Sequence, residues 1–220
     1  LYAATSGADT WSSKQSWLSG DPCTAGWYQV TCSGSTVTGL NLADNILVGS
    51  IPTELFLLTG LQSSLSLQSN ALQSTIPSEI GNLAGSLATD LLLNDNSLTR
   101  TVPSELGRLT GLGSDINFGV NKITGSLPSE LGLLTLLSDT FQFKENEFCS
   151  TIPPEVTALE PSVSNWGLEA GNDFGTPCCE TQSATYTCAP PPLPSPLPTT
   201  SLPPTPLPSP LPTPPPTTPR

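Results

Sequence analysis

Apolar residues along this chain recur in pairs with one other residue between them: Leu40/Leu42, Leu65/Leu67, Leu91/Leu93, Ile116/Phe118 and Phe141/Phe143. A spacing of two places both side chains on one face of a short strand. Each pair therefore predicts a strand with its apolar face turned into a core and its intervening residues turned outward. Three positions after each pair comes an asparagine: Asn45, Asn70, Asn96, Asn121 and Asn146, at intervals of 25, 26, 25 and 25 residues. Where a strand turns, such an amide can bond backbone groups that the turn leaves unpaired, and a ladder of amides would link neighbouring units. A proline follows in the same register: Pro52, Pro77, Pro103, Pro128 and Pro153. The aliphatic residue before it is pushed toward extended geometry, and the proline suits the first position of a helical turn. Two residues further on, Glu54, Glu79, Glu105, Glu130 and Glu155 fall in that first turn, where the helix dipole favours negative charge by about 0.3–1 kcal/mol. Strand, turn, extended step and short helix, repeated at this period, predict a solenoid of stacked coils.

These motifs resemble the plant-specific class of leucine-rich repeats, whose consensus is close to L-x-x-L-x-L-x-x-N-x-L-x-G-x-I-P-x-x-L-G-x-L. The resemblance covers residues 38–160, about five repeats. It implies an α/β solenoid with a short parallel β-sheet on the concave side and 3-10 or short helices on the convex side. A second short sheet is implied at the I-P step. It further implies a non-catalytic module whose concave face binds proteins, peptides or glycans. One departure is regular: Leu61 to Leu65, Leu87 to Leu91, Leu112 to Ile116 and Leu137 to Phe141 are four apart where the class has three. The extra residue predicts a bulge in the loop entering the concave sheet.

A solenoid exposes an apolar face at each end and needs caps. Residues 1–37 carry Trp11, Trp17, Asp21, Pro22, Cys23, Trp27, Val30 and Cys32, which resemble the N-terminal cap of plant and protist leucine-rich repeat proteins. That resemblance implies an opening helix, into which Leu1 falls, and a Cys23–Cys32 disulfide worth about 2–3 kcal/mol by loop entropy. Residues 161–189 form a Cys-rich C-terminal cap, with Trp166 and Phe174 expected over the last coil. The six cysteines, Cys23, Cys32, Cys149, Cys178, Cys179 and Cys188, are an even set at the two ends of the repeat block, which predicts disulfides and an oxidising compartment. Adjacent cysteines pair poorly with each other. One of Cys178 and Cys179 is thus expected to join Cys149 and the other Cys188, in either assignment. From Pro190 to Arg220 the chain is Pro with Ser, Thr and Leu, which predicts polyproline II. This stretch resembles the stalks of leucine-rich repeat extensins and pherophorin-like linkers. It is shorter and lacks the long proline blocks of extensins, so a plain spacer is the other reading. The start at Leu1, with no visible leader, predicts a processed chain or a fragment.

Charge narrows the function. The net charge of -12 argues against nucleic acid and against an anionic membrane surface. No apolar run reaches membrane-spanning length. With no histidine, a Ser/His or Cys/His device is excluded, and no metal or cofactor is expected. Zinc would need four thiolates, and no CxxC pair exists. Asp90 and Asp115 could be read as glycosidase acids, but repetition alone brings such residues together on adjacent strands. The glutamate column could be read as a calcium ladder; the dipole already accounts for it. A hydroxyl column, Ser50, Thr75, Thr101, Ser126 and Thr151, offers ice binding as a minor reading beside plain β-propensity.

The outward positions of the predicted strands carry the functional expectation. They read Gly39-Asn41-Ala43, Ser64-Ser66-Gln68, Asp90-Leu92-Asn94, Asp115-Asn117-Gly119 and Thr140-Gln142-Lys144. The candidate ligand-binding residues are Asp90, Leu92, Asn94, Asp115, Asn117, Gln142 and Lys144. The expected protein is a monomeric, extracellular recognition module, secreted or held at the cell wall or cell surface. Its partner is expected to be a protein, a peptide or a cell-wall polysaccharide. A structural wall glycoprotein anchored by the tail, and the ectodomain of a receptor kinase, are the alternatives.

Overall fold

The paired apolar positions form strands, and the strands stack in sequence order. The computed structural model describes residues 1–180 and 187–188; the Pro-rich stretch lies outside the described residues. One seven-stranded sheet runs through Val30–Ser33, Thr36–Asn41, Ser64–Ser66, Asp90–Leu92, Asp115–Asn117, Thr140–Gln142 and Asn165–Gly167. From Thr36–Asn41 onward its neighbours are parallel, and this is the sheet that the repeat class makes concave. Val30–Ser33 pairs antiparallel with Thr36–Asn41. The first strand of the cap is thus a hairpin partner that strand-pair periodicity, which begins at Leu40, does not mark.

A second sheet is built from Val48–Gly49, Ala71–Ser74, Ser97–Arg100, Lys122–Gly125 and Glu147–Phe148, each parallel to the next. The 3-10 helices Thr53–Leu57, Ser78–Leu83, Ser104–Arg108 and Ser129–Leu133 follow, and Pro154–Thr157 closes the series as one α-helical turn. Each in-register proline sits one position earlier than expected. It is the extended residue before the helix, with ψ between 135° and 144°, and its carbonyl accepts the first helical bond, as in Leu106 N–H to Pro103 O at 3.1 Å. The glutamates then occupy the first turn. Behind Glu105 the coils approach so closely that a Cβ on Gly107 would stand 2.3 Å from the Glu130 carbonyl oxygen. Only glycine fits there.

Before three of the strands, Ser64–Ser66, Asp115–Asn117 and Thr140–Gln142, the extra residue is absorbed as a bulge. The N–H groups of Gln62 and Ser63 both donate to Thr38 O; those of Ser114 and Asp115 converge on Thr89 O, and those of Asp139 and Thr140 on Ser114 O. Two residues against one is the bulge count.

The asparagines stand in one file. Asn96 accepts the Leu72 N–H at 3.0 Å and donates to Leu67 O one coil back, and to Leu93 O and Asn94 O in its own coil. Asn121 repeats the pattern on Leu98 N–H, Leu93 O, Phe118 O and Gly119 O. Asn70 and Asn146 do the same. Asn45 has no earlier repeat and bonds the cap instead, through Ser12 Oγ and the Ser13 backbone. A sixth member, Asn172, accepts Phe148 N–H and donates to Phe143 O. Its coil carries one extra residue between Leu168 and the asparagine, which hides it from a count keyed to the three-residue gap.

The caps are covalently tied. Cys23 is bonded to Cys32, and Cys149 to Cys178. In the short antiparallel pair Cys179–Glu180 and Thr187–Cys188, the backbone sets Cys179 opposite Cys188. Residues 2–10 are a run of turns rather than the opening helix that the cap resemblance implies: Ser6 is left-handed at φ 56°, which a continuous helix does not tolerate. There Tyr2, Trp11, Trp17 and Trp27 pack ring against ring, with centroids 4.7–6.1 Å apart. At the far end Trp166 stacks on Phe141 and Phe174 on Phe148.

Replacing Asn121 by alanine leaves one buried N–H and three carbonyls without their partner, and should cost about 2–4 kcal/mol. Urea denaturation of the variant against the parent chain reads this directly. A loss below 0.5 kcal/mol, on the order of an exposed substitution, would show that the file is not a stabilising feature.

Candidate functional site on the concave sheet

Register turns the outward residues into rows. Ser64, Asp90, Asp115, Thr140 and Asn165 stand side by side across five strands. The next row is Asn41, Ser66, Leu92, Asn117, Gln142 and Gly167. Beyond the strand ends, Asn94 O accepts from Ser69 N–H and Lys144 O from Val120 N–H, so Gln68, Asn94, Gly119 and Lys144 continue the pattern. Of the candidate residues, Asp90, Leu92, Asp115, Asn117 and Gln142 lie together on three consecutive strands. Asn94 and Lys144 sit past the strand ends, two coils apart with Gly119 between them.

The polar groups here are of two kinds. Some are engaged: Asn117 Oδ1 accepts the Gly119 N–H at 3.0 Å, Gln142 Nε2 donates to Asn165 Oδ1 at 2.8 Å, and Asn94 Nδ2 donates to Asp95 at 2.6 Å. Others are not. Ser66 Oγ, Asn94 Oδ1 and Gln142 Oε1 are buried atoms with no hydrogen-bond partner among the described residues. Ser66 is 3% exposed and Gln142 6%. A buried polar atom left unpaired costs on the order of 1–3 kcal/mol, and native proteins carry few of them. All three belong to this one face.

Charge adds to the imbalance. Asp90 and Asp115 are cross-strand neighbours, on strands about 4.8 Å apart. The Asp90 carboxyl is raised above its ordinary value, first by burial and then by the like charges of Asp115 and Asp139. Among the described residues no cation is a cause of the Asp90 shift. Asp139 precedes its strand by one residue and so falls outside the alternation from which the candidate list is built. Ser66 is also absent from that list; only its burial distinguishes it from any small outward residue. Val120, exposed and left-handed at φ 55°, is a third feature that sequence does not mark, since backbone conformation is not written in side-chain type. Among the described residues no group of three or more His, Cys, Asp or Glu could hold a metal ion. No helix among them is long and apolar enough to cross a membrane.

No protein-family model matches the chain. It is similar to the LRR receptor-like serine/threonine-protein kinase GSO2 of Arabidopsis thaliana, at 36% identity over 91 residues, covering 30% of this chain and 7% of that kinase. Among solved structures it resembles a chain of the BIR3–SERK2 complex from Arabidopsis thaliana, at 31% identity and TM-score 0.57, covering 68% of this chain and 78% of that one. It also resembles a plant ice-binding protein, at 27% identity and TM-score 0.66, covering 79% of this chain and 54% of that one. Together with the asparagine file and the parallel strands, these likenesses make the chain a disulfide-bonded leucine-rich repeat protein. Within that class it is similar to a receptor-like kinase, of whose length it spans a small part.

The Asp90 shift has a stability consequence with a definite sign. A carboxyl raised in the folded state binds protons more readily folded than unfolded, so it subtracts stability as pH climbs from the ordinary aspartate value through the raised one. Asp90→Asn should therefore be more stable than the parent chain at pH 7. The gap should close as pH falls below the ordinary aspartate range near 4. Urea midpoints of both chains across that range check it; a gap that is absent at pH 7, or constant with pH, contradicts it.

Proposed function

We propose that the chain is an extracellular, non-catalytic recognition module that binds a peptide or protein segment along the concave sheet. The ligand-binding residues are Asp90, Leu92, Asn94, Asp115, Asn117, Gln142 and Lys144, joined by Ser66. The observation that carries this reading is the gathering of unpartnered buried acceptors and uncompensated carboxylates on one exposed sheet face, while the asparagine file satisfies the backbone behind it. A surface built only for solubility has no reason to bury polar atoms without partners. Likeness to receptor ectodomains from plants supports the same reading, as does the disulfide-tied cap at each end, which suits an oxidising exterior. The Pro-rich sequence 190–220 serves as the tether. A neutral wall polysaccharide is the remaining ligand class; an anionic one would be repelled by the aspartate row. Anchoring as a wall glycoprotein, or as the ectodomain of a longer receptor, concerns what the module is attached to and is compatible with this site.

A second reading has one observation behind it. The hydroxyl column Ser50, Thr75, Thr101, Ser126 and Thr151 lies just past the strands of the second sheet, and a plant ice-binding protein is among the similar structures. The left-handed residues before it at Ser74, Arg100, Gly125 and Ser150 break the regular extended backbone that a flat face would need.

One experiment separates the two. The whole chain is applied to a peptide and oligosaccharide array and, separately, to an ice-recrystallisation assay, each with the parent and with a variant carrying Asp90→Asn, Asp115→Asn and Asn117→Ala. Array binding lost in the variant, with no effect on ice, is expected. Silence on the array together with inhibition of ice growth in both chains would transfer the function to the hydroxyl column.

A further inference from the structure

Resting on that recognition reading, the chemistry of the face points to the chemistry of its partner. The face holds a surplus of acceptors. Asp90 and Asp115 offer two carboxylates in register on neighbouring strands, and Asp139 adds its charge to theirs. On the next strand Ser66, almost fully buried, lies diagonally beside Asp90 with its Oγ unpaired. Asn94 Oδ1 and Gln142 Oε1 are likewise unpaired. The amide donors of Asn94 and Gln142 are engaged by neighbours, Asn94 Nδ2 on Asp95 and Gln142 Nε2 on Asn165. Lys144, past the end of its strand, is the one cation among the candidate residues, and it is exposed.

We propose that the concave face recognises a cationic, donor-rich segment: a peptide whose arginine guanidinium is shared between Asp90 and Asp115, with Ser66 on the strand at the other side of Asp90. Three physical reasons select arginine. Its planar fork presents five donors and two edges, so one side chain serves two carboxylates on adjacent strands, where an ammonium is a point charge. It is more weakly hydrated than an ammonium and enters a half-buried site at lower cost. A cation between the two aspartates also removes the repulsion that register imposes on them, so its attraction is realised only when bound. A metal ion is disfavoured because, among the described residues, Asp90, Asp115 and Asp139 do not form a group of three that could hold one. The net charge of -12 steers such a segment toward the chain from a distance.

The test uses the whole chain and a positional-scanning hexapeptide library in which one position at a time is fixed as Arg, Lys, citrulline, Glu or Leu. Citrulline keeps the shape of arginine and removes its charge. At about 0.15 M salt, where exposed charges more than about 8 Å apart are largely screened, an Arg-fixed pool should bind about tenfold tighter than its citrulline counterpart, with Lys between them. The double variant Asp90→Asn and Asp115→Asn should bring Arg binding down to the citrulline level. The double variant Glu130→Gln and Glu155→Gln, which removes the same charge from the helical turns on the other side of the coil, should lower it less than about twofold. As the pH drops, Arg binding should fall off above the ordinary aspartate range, since the raised Asp90 carboxyl takes up its proton before that range is reached; Asp115 and Asp139 are the charged groups that act on Asp90.

Equal losses in the two double variants would reduce the effect to bulk attraction and overturn the proposal. So would equal binding of Arg and citrulline pools, or the absence of any pool that prefers Arg. Should a Leu- or Glu-fixed pool bind instead and lose binding on Leu92→Ala and Asn117→Ala, concave-face recognition stands and only the arginine assignment falls. Should no pool bind and none of these variants change capture on the array, both fall.

Discussion

Everything in this molecule is set in place by one side-chain amide used six times. A coil of about 25 residues cannot pair all its own backbone groups where it leaves the concave strand, because the turn points them into the interior. Asparagine is the one side chain short enough to stay inside and double-ended enough to accept from the coil behind while donating to that coil and its own. The reach of that amide fixes how far apart successive coils stand and which residue of one faces which residue of the next. The intervals of 25 and 26 residues are the consequence, and the leucines, phenylalanines and glycines fill the space those distances leave. Where no earlier coil exists, the cap supplies the missing partners: Ser12 and Ser13 meet Asn45, and Thr5 O receives the Val48 N–H.

That constraint also explains why the concave face can be unfavourable by itself. Strand register is decided behind the sheet, so the outward residues have no part in choosing it. Asp90 and Asp115 face each other because the file sets their strands, not because their side chains gain by it; in an ordinary hairpin, like charges directly opposite would be selected against. The same holds for Ser66, buried without a partner between the Asn41 and Leu92 positions. A scaffold with its stability invested in amides, stacked rings and two cap disulfides carries such a surface without losing its fold. The division between a satisfied interior and an unsatisfied face is the physical basis for reading one as structure and the other as recognition.

How much of this was legible beforehand follows from what each feature is made of. The coil, its strand, its asparagine and its helical turn rest on residue type at fixed spacing; the second sheet follows from the resemblance to the repeat class, and the bulge from the one extra residue against that class. What could not be read depends on events that leave no spacing. Val30–Ser33 joins the sheet antiparallel because the hairpin after Cys32 folds back. Residues 2–10 lose their helix through a left-handed turn at Ser6. Asn172 is displaced by one residue from the register that reveals the others. At the site, the outward positions were readable as positions, and Asp90 and Asp115 as neighbours. The burial of Ser66, the reach of Asp139 and the conformation of Val120 emerge only when adjacent coils cover or approach them.

The same logic says where the surface can change. A residue in the file, or Gly107 beneath the Glu130 carbonyl, is held by both neighbouring coils, so alteration there propagates through register to every row beyond it. A residue on the concave face is held by none. Asn117 and Gln142 come nearest to an exception, since each bonds its own turn or its neighbour, and even these bonds lie on the surface of the ladder rather than within it. Ligand preference is therefore free to vary coil by coil at fixed fold. An acidic pair in such a face, whose repulsion any neutral residue would relieve, is a feature that the solenoid itself does not require.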